Sequence, residues 1–111
     1  MREAVMSPKT KAKYEARAAI IKALAHPTRL FIVDQLQTRK RCVCELTKLI
    51  GADISTVSKH LSVLKSVGIV HDEKVGQQVF YHLKTPCVLR FFICVDSVVK
   101  TNAEEQLALL R

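Results

Sequence analysis

Residues 42–61 read CVCELTKLIGADISTVSKHL. A short helical run from Val43 to Ile50 stops at Gly51, a residue suited to a left-handed C-cap. Asp53 or Ser55 can then cap a longer helix reaching Val67, which Gly68 closes. A short helix, a tight turn and a longer helix form the core of a helix-turn-helix unit. Two cysteines one residue apart, Cys42 and Cys44, stand at its front.

On a helical wheel of about 100° per residue, Val57, Leu61 and Leu64 form one stripe of the longer helix, with Val67 flanking it. Ser55, Lys59, Ser62 and Ser66 lie opposite, with Ser58 beside them. An ordinary solvated face could also be polar, but serine is a mediocre helix former and an unusual filler there. Small hydroxyls with one cation allow close approach to DNA, where they meet phosphates or base edges. Ser55 and Thr56 stand in the first turn, whose free N–H groups favour phosphate. His60 is expected on the DNA side or in packing, rather than on a metal.

Downstream, Ile69–Lys74 and Gln77–Leu83 flank Gly76. Val79, Tyr81 and Leu83 alternate with Phe80 and His82, the pattern of a β-hairpin. Its tip, with Lys74, Gln77 and Gln78, suits a minor groove or phosphate, whereas Asp72 and Glu73 are expected to face away from DNA. Pro86 opens a last helix reaching about Lys100. Thr101-Asn102 weakens it, and Ala103–Leu110 either continues it or forms a separate turn.

Upstream, residues 1–8 form a frayed end bounded by Pro8. A helix follows from Lys9 to Ala25, with Tyr14, Ala18, Ile21 and Leu24 or Ala25 on one stripe. Pro27 suits the first turn of a second helix, capped near Ala25 or His26 and running to about Thr38. Arg39-Lys40-Arg41 is a basic turn. The expected order is α-α-α-α-β-β-α, mainly α with a small β-hairpin. Residues 1–111 therefore form a single winged helix-turn-helix domain.

Lysine and arginine number 18 against 10 acids, a formal charge of +8 that suits a polyanionic partner. Nearly half of the residues are apolar, enough for a globular core. No apolar run approaches the ~20 residues that span a bilayer. No apolar segment follows the basic N-terminus as in a signal peptide. The chain is expected in the cytoplasm, away from membranes. The four cysteines would then be reduced, serving as ligands, redox sensors or core residues rather than structural disulfides. Neither a Cys-x-x-Cys motif nor a nucleophile with a legible base is present, so no enzyme is expected.

Ala25-His26-Pro27-Thr28-Arg29-Leu30, Cys42-Val43-Cys44-Glu45-Leu46, Ser55–Leu61 and Leu64–Val70 together resemble the ArsR/SmtB family of arsenical-resistance repressors. The resemblance covers roughly residues 18–84 in one register. It implies a homodimer on double-stranded operator DNA that leaves when an ion or thiol-reactive signal binds. It also implies a dimer interface on the first and last helices, which suits the apolar stripes at Tyr14–Leu24 and Val88–Val99.

In a regular helix, Cys42 and Cys44 would point about 200° apart and could not share an ion. Either Cys42 stands just outside the helix or the first turn distorts on ligation. Thiolates favour soft ions such as As(III), Sb(III), Cd(II), Pb(II), Cu(I) or Zn(II). The resemblance favours trivalent arsenic, which takes three thiolates. Some arsenic-responsive relatives carry C-x-C-x-x-C, but the third position here is Thr47. Cys87 and Cys94 are the candidates for a third ligand, from the same or a second subunit. Cys94, amid Phe91, Phe92, Ile93 and Val95, also reads as a core residue. Asp96 has no histidine beside it on the last helix, so the family's second metal site is not expected. A reversible cysteine disulfide or persulfide is the alternative signal.

Overall fold

Five helices and three strands follow one another in a computed structural model that describes residues 5–111. The first four residues of the expected frayed end lie outside the described residues. Helix α1 is Pro8–Leu24; Ser7 caps it, its Oγ accepting the Thr10 N–H at 3.2 Å. Helix α2 is Pro27–Gln35, capped by His26, whose Nδ1 accepts the Thr28 N–H at 3.1 Å. It stops three residues short of Thr38, where the chain turns to bury Leu36 in the core.

Part of the expected basic turn is a strand. Residues Arg41–Cys42 form β1, which pairs antiparallel with β3. Helix α3 is Val43–Ile50, and Gly51 ends it at φ +75°. Helix α4 is Ile54–Ser66; Asp53 accepts the Thr56 N–H at 3.2 Å. Strands β2 (Val70–Val75) and β3 (Gln78–Leu83) make the expected hairpin. Gly76, at φ +63°, begins its two-residue turn, where a positive φ matches the twist of the strands. The sheet order is β1-β3-β2.

Helix α5 is Val88–Ala108. Pro86 and Cys87 lie in the turn before it, and Thr101-Asn102 does not interrupt it. Thr and Asn cost only up to about 0.7 kcal/mol each relative to Ala. The good formers in Ala103–Ala108 carry the helix past them.

The core lies between α2, α3, α4 and the sheet. Val57, Leu61 and Leu64 are fully buried there with Ile32, Leu46 and Val70. Burying each such side chain contributes about 1.5–3 kcal/mol. The α4 stripe thus holds the outer face of that helix at a set angle to the hairpin. Helix α5 has no buried residue, and Phe91, Ile93, Val98 and Val99 are exposed along it. No helix among the described residues is long and apolar enough to cross a membrane.

Candidate nucleic-acid interface and paired cysteines

With its apolar stripe locked inward, α4 presents Ser55, Thr56, Ser58, Lys59 and Ser62 on its exposed side. Ser55 Oγ donates to Asp53 Oδ2 at 3.1 Å. Hydrogen bonds from Thr56, then Ser55, hold the Asp53 carboxyl below its ordinary range. Lys59 has no ion pair among the described residues. Lys65, one turn and a half later, is taken by Asp72 at 3.0 Å. Ser66 bonds back to the Val63 carbonyl at 2.7 Å. The open part of the face is therefore its N-terminal two-thirds.

His60 points elsewhere. The Arg29 Nε–H donates to its Nδ1 at 3.2 Å, and its ring lies 4.4 Å from that of His26. Arg29 also donates to the Ala23 carbonyl at 2.9 Å. Burial first, then His26 and Arg29, push the His60 pKa down, so the neutral ring serves as an acceptor. His60 ties α4 to the α1–α2 junction. Arg29, which carries no sequence signal of its own beyond the family resemblance, is the centre of that tie.

At the wing, Lys74, Gln77 and Gln78 are exposed around the turn. Asp72 pairs with Lys65, and Glu73 lies 3.7 Å from Lys40 and 3.2 Å from His82 Nε2. The two acids are thus matched by cations or histidine. Lys74 has no ion pair among the described residues, so positive charge is left at the tip.

Cys42 is buried and caps α3 in extended conformation (φ −75°, ψ 158°). It stands just outside the helix, one of the two arrangements expected. Leaving the helical turn removes the separation of about 200°. The Cα atoms of Cys42 and exposed Cys44 are 5.3 Å apart, and their sulfurs are joined in a disulfide. Reduced thiols were expected, whereas the structure joins this pair; the extended cap at Cys42 is what lets the two sulfurs meet.

Glu45 completes a capping box. Its N–H donates to Cys42 Sγ at 3.2 Å, and its Oε1 accepts the Cys42 N–H at 3.4 Å. Arg39 donates to both Glu45 oxygens at 3.2 and 2.7 Å, with Arg41 at 3.5 Å. The Arg39 hydrogen bonds, above all, pull the Glu45 carboxyl down to about 2. Glu45 thus links the cap at Cys42 to Arg39 and Arg41.

Cys87 and Cys94 are free and exposed. Cys94 is therefore not a core residue of the protomer, since α5 turns its stripe outward. Thr47 Oγ donates to the Val43 carbonyl at 2.7 Å. No group of three His, Cys, Asp or Glu side chains among the described residues is arranged to hold a metal. Only the sulfurs of Cys42 and Cys44 meet among the four cysteines.

Residues 26–72 match the profile of the bacterial regulatory protein, arsR family. The chain is 41% identical over 69 residues to the HTH-type transcriptional repressor SmtB of Mycobacterium tuberculosis, covering 62% of the chain and 51% of that protein. It therefore spans about half the length of that relative. It is 37% identical over 87 residues to an uncharacterized HTH-type transcriptional regulator of Methanocaldococcus jannaschii, covering 78% of the chain and 98% of that protein. The fold superposes on the homodimeric winged helix-turn-helix DNA-binding domain Mb0332 of Mycobacterium bovis, a possible ArsR-family transcriptional regulator. The TM-score is 0.75 at 31% identity, over 93% of the chain and 95% of that domain.

Proposed function

The chain belongs to the arsR family of bacterial regulatory proteins, and we propose that it is a homodimeric, DNA-binding transcriptional repressor released by a thiophilic ion. The ion is trivalent arsenic or antimony before cadmium, lead or zinc, and Cys42 and Cys44 hold it. One observation carries the reading. Cys42 caps α3, the helix before α4, and also belongs to β1, paired with β3 of the wing. Chemistry at its sulfur therefore pulls on both elements that face DNA.

On the DNA side, Ser55, Thr56, Ser58, Lys59 and Ser62 enter the major groove, and Lys74, Gln77 and Gln78 lie along the backbone or minor groove. Two copies must present their α4 helices about 34 Å apart to meet successive grooves. The exposed apolar faces of α1 and α5 suit that pairing. His60 acts from behind, bracing α4 against α2.

On the sulfur side, the pair must be reduced to the dithiolate before it can hold an ion. Soft, convergent sulfurs fit arsenic or a heavy divalent ion. Cys87 or Cys94, of the same or a second copy, supplies the third donor. Ligation removes the Cys42 sulfur from the Glu45 N–H. Loss of such a cap costs about 0.5–2 kcal/mol, within the ~1–3 kcal/mol typical of allosteric coupling.

Fluorescence anisotropy of the reduced protein on its own promoter DNA tests this. Arsenite should lower affinity for the wild type and leave the Cys42→Ser/Cys44→Ser variant bound. Release of that variant at the wild-type dose would overturn the role of the pair.

The joined sulfurs favour a second reading, in which oxidation itself is the signal. The two thiols give two protons and two electrons to an external oxidant as the S–S bond forms. Mass spectrometry separates the readings: release accompanied by loss of two hydrogens supports oxidation, whereas an arsenic adduct supports ligation.

A further inference from the structure

The wing carries a cluster that neither the outer face of α4 nor the sulfur pair uses. Strands β2 and β3 set His71 opposite His82 and Glu73 opposite Phe80, so His71, Glu73 and His82 share one face of the hairpin. The two imidazole rings stack 4.6 Å apart and 3° from parallel. Glu73 divides its oxygens: Lys40 Nζ lies 3.7 Å from Oε1, and His82 Nε2 lies 3.2 Å from Oε2. That nitrogen is buried, yet it makes no hydrogen bond. It is close to the carboxylate but not aligned for a ring proton to bridge them. A buried polar atom left in this way is a mark of an ion or water site.

We propose that Glu73 and His82 bind a divalent ion of the zinc class, with His71 as the third protein donor. Zinc bonds to imidazole nitrogen and carboxylate oxygen run about 2.0–2.2 Å, which sets two such donors roughly 3.0–3.4 Å apart at right or tetrahedral angles. The 3.2 Å between Glu73 Oε2 and His82 Nε2 is such a spacing. Imidazole and carboxylate suit zinc, nickel or copper, whereas the sulfur pair suits softer ions. Three donors do not converge as the rings stand. His71 is exposed and lies opposite His82, so rotation about its side-chain bonds brings it to the ion, and water completes an open site. Lys40 stays on Oε1, and its charge keeps the affinity modest. An ion held there ties β2 to β3 and adds positive charge to the wing. The competing account is an ordinary cross-strand ion pair, which takes up no metal.

The test uses the full chain with Cys42 and Cys44 joined and the exposed pair replaced, Cys87→Ser/Cys94→Ser, so that no free thiol competes. Zinc chloride is titrated in, followed by calorimetry and by NMR of the histidine rings. One ion per chain is expected, with the ring signals of His71 and His82 shifting. Those of His26 and His60 should stay in place, because their Nδ1 atoms already accept from Thr28 and Arg29. Glu73→Gln and His82→Gln should each weaken zinc binding by about tenfold or more, and His71→Ala by less. Glu73→Gln leaves both rings in place, so a loss there cannot come from a broken stack. No saturable uptake, shifts confined to His26 and His60, or an unchanged affinity in any of the three variants would each overturn the proposal.

Discussion

Helices α4 and α5 both carry apolar stripes, yet they use them in opposite ways. Val57, Leu61 and Leu64 of α4 are wholly buried within the chain, whereas α5 buries no residue. The orientation of α4 is therefore settled by its own protomer. The apolar face of α5 has no such cover, and α1 shares that condition with Tyr14, Ile20 and Ile21 exposed. The outer face of α4 is set inside one copy, while α1 and α5 leave their apolar faces open, the surfaces that the proposed dimer would use.

Substitutions in the two helices should separate these roles. Leu61→Ala should have the largest effect on folding, about 2–5 kcal/mol, because it opens a cavity in the packed centre. Urea unfolding should show this at every protein concentration; an unchanged midpoint would contradict the burial of α4. Val98→Asp, on exposed α5, should leave the protomer's helical content intact but make it monomeric in sedimentation. Its operator affinity should fall by about a hundredfold, the scale expected when two linked binding modules become separate. A dimer that survived this change would place the interface elsewhere.

A smaller effect should come from the outer face of α4. Lys59→Ala should spare stability and weaken DNA binding across sequences. The slope of log affinity against log salt should fall by about one unit if Lys59 neutralises one phosphate. An unchanged slope would show that Lys59 meets no phosphate.

The smallest effect concerns Glu45 in front of α3. Its carboxyl is lowered to about 2 from 4.5, chiefly by Arg39. A depressed acid contributes stability above its unfolded pKa, and that contribution disappears as pH falls through the folded value. The window is therefore from 4.5 down to about 2. The group is exposed, so salt should weaken the effect. Thermal melts of wild type and Glu45→Gln should converge across that window. A constant difference through it would detach the clamp from stability.

Much of α4 is legible in the sequence. Its stripe repeats with the helical period, and Gly51 and Gly68 mark its surroundings. The hairpin is equally plain from the alternation around Gly76. Strand β1 is not, because two residues carry no periodicity and Arg39-Lys40-Arg41 reads as a polar turn. The continuity of α5 is also hidden: Thr101-Asn102 resembles a break, but its propensity cost is small. The hydroxyl face of α4 follows residue by residue from the wheel. The inward turn of His60 does not, since Arg29 lies 31 residues away in the chain.

The order of amino acids alone determined the positions of α3 and α4, the apolar stripe of α4 and the neighbourhood of the two sulfurs, because these follow from short-range periodicity and capping. Tertiary structure alone decided that Cys42 pairs with Phe80 of the wing, and that His60 braces α4 instead of facing outward. Those outcomes depend on groups far apart in the chain, and only the packing of the shared core brings them within hydrogen-bonding distance.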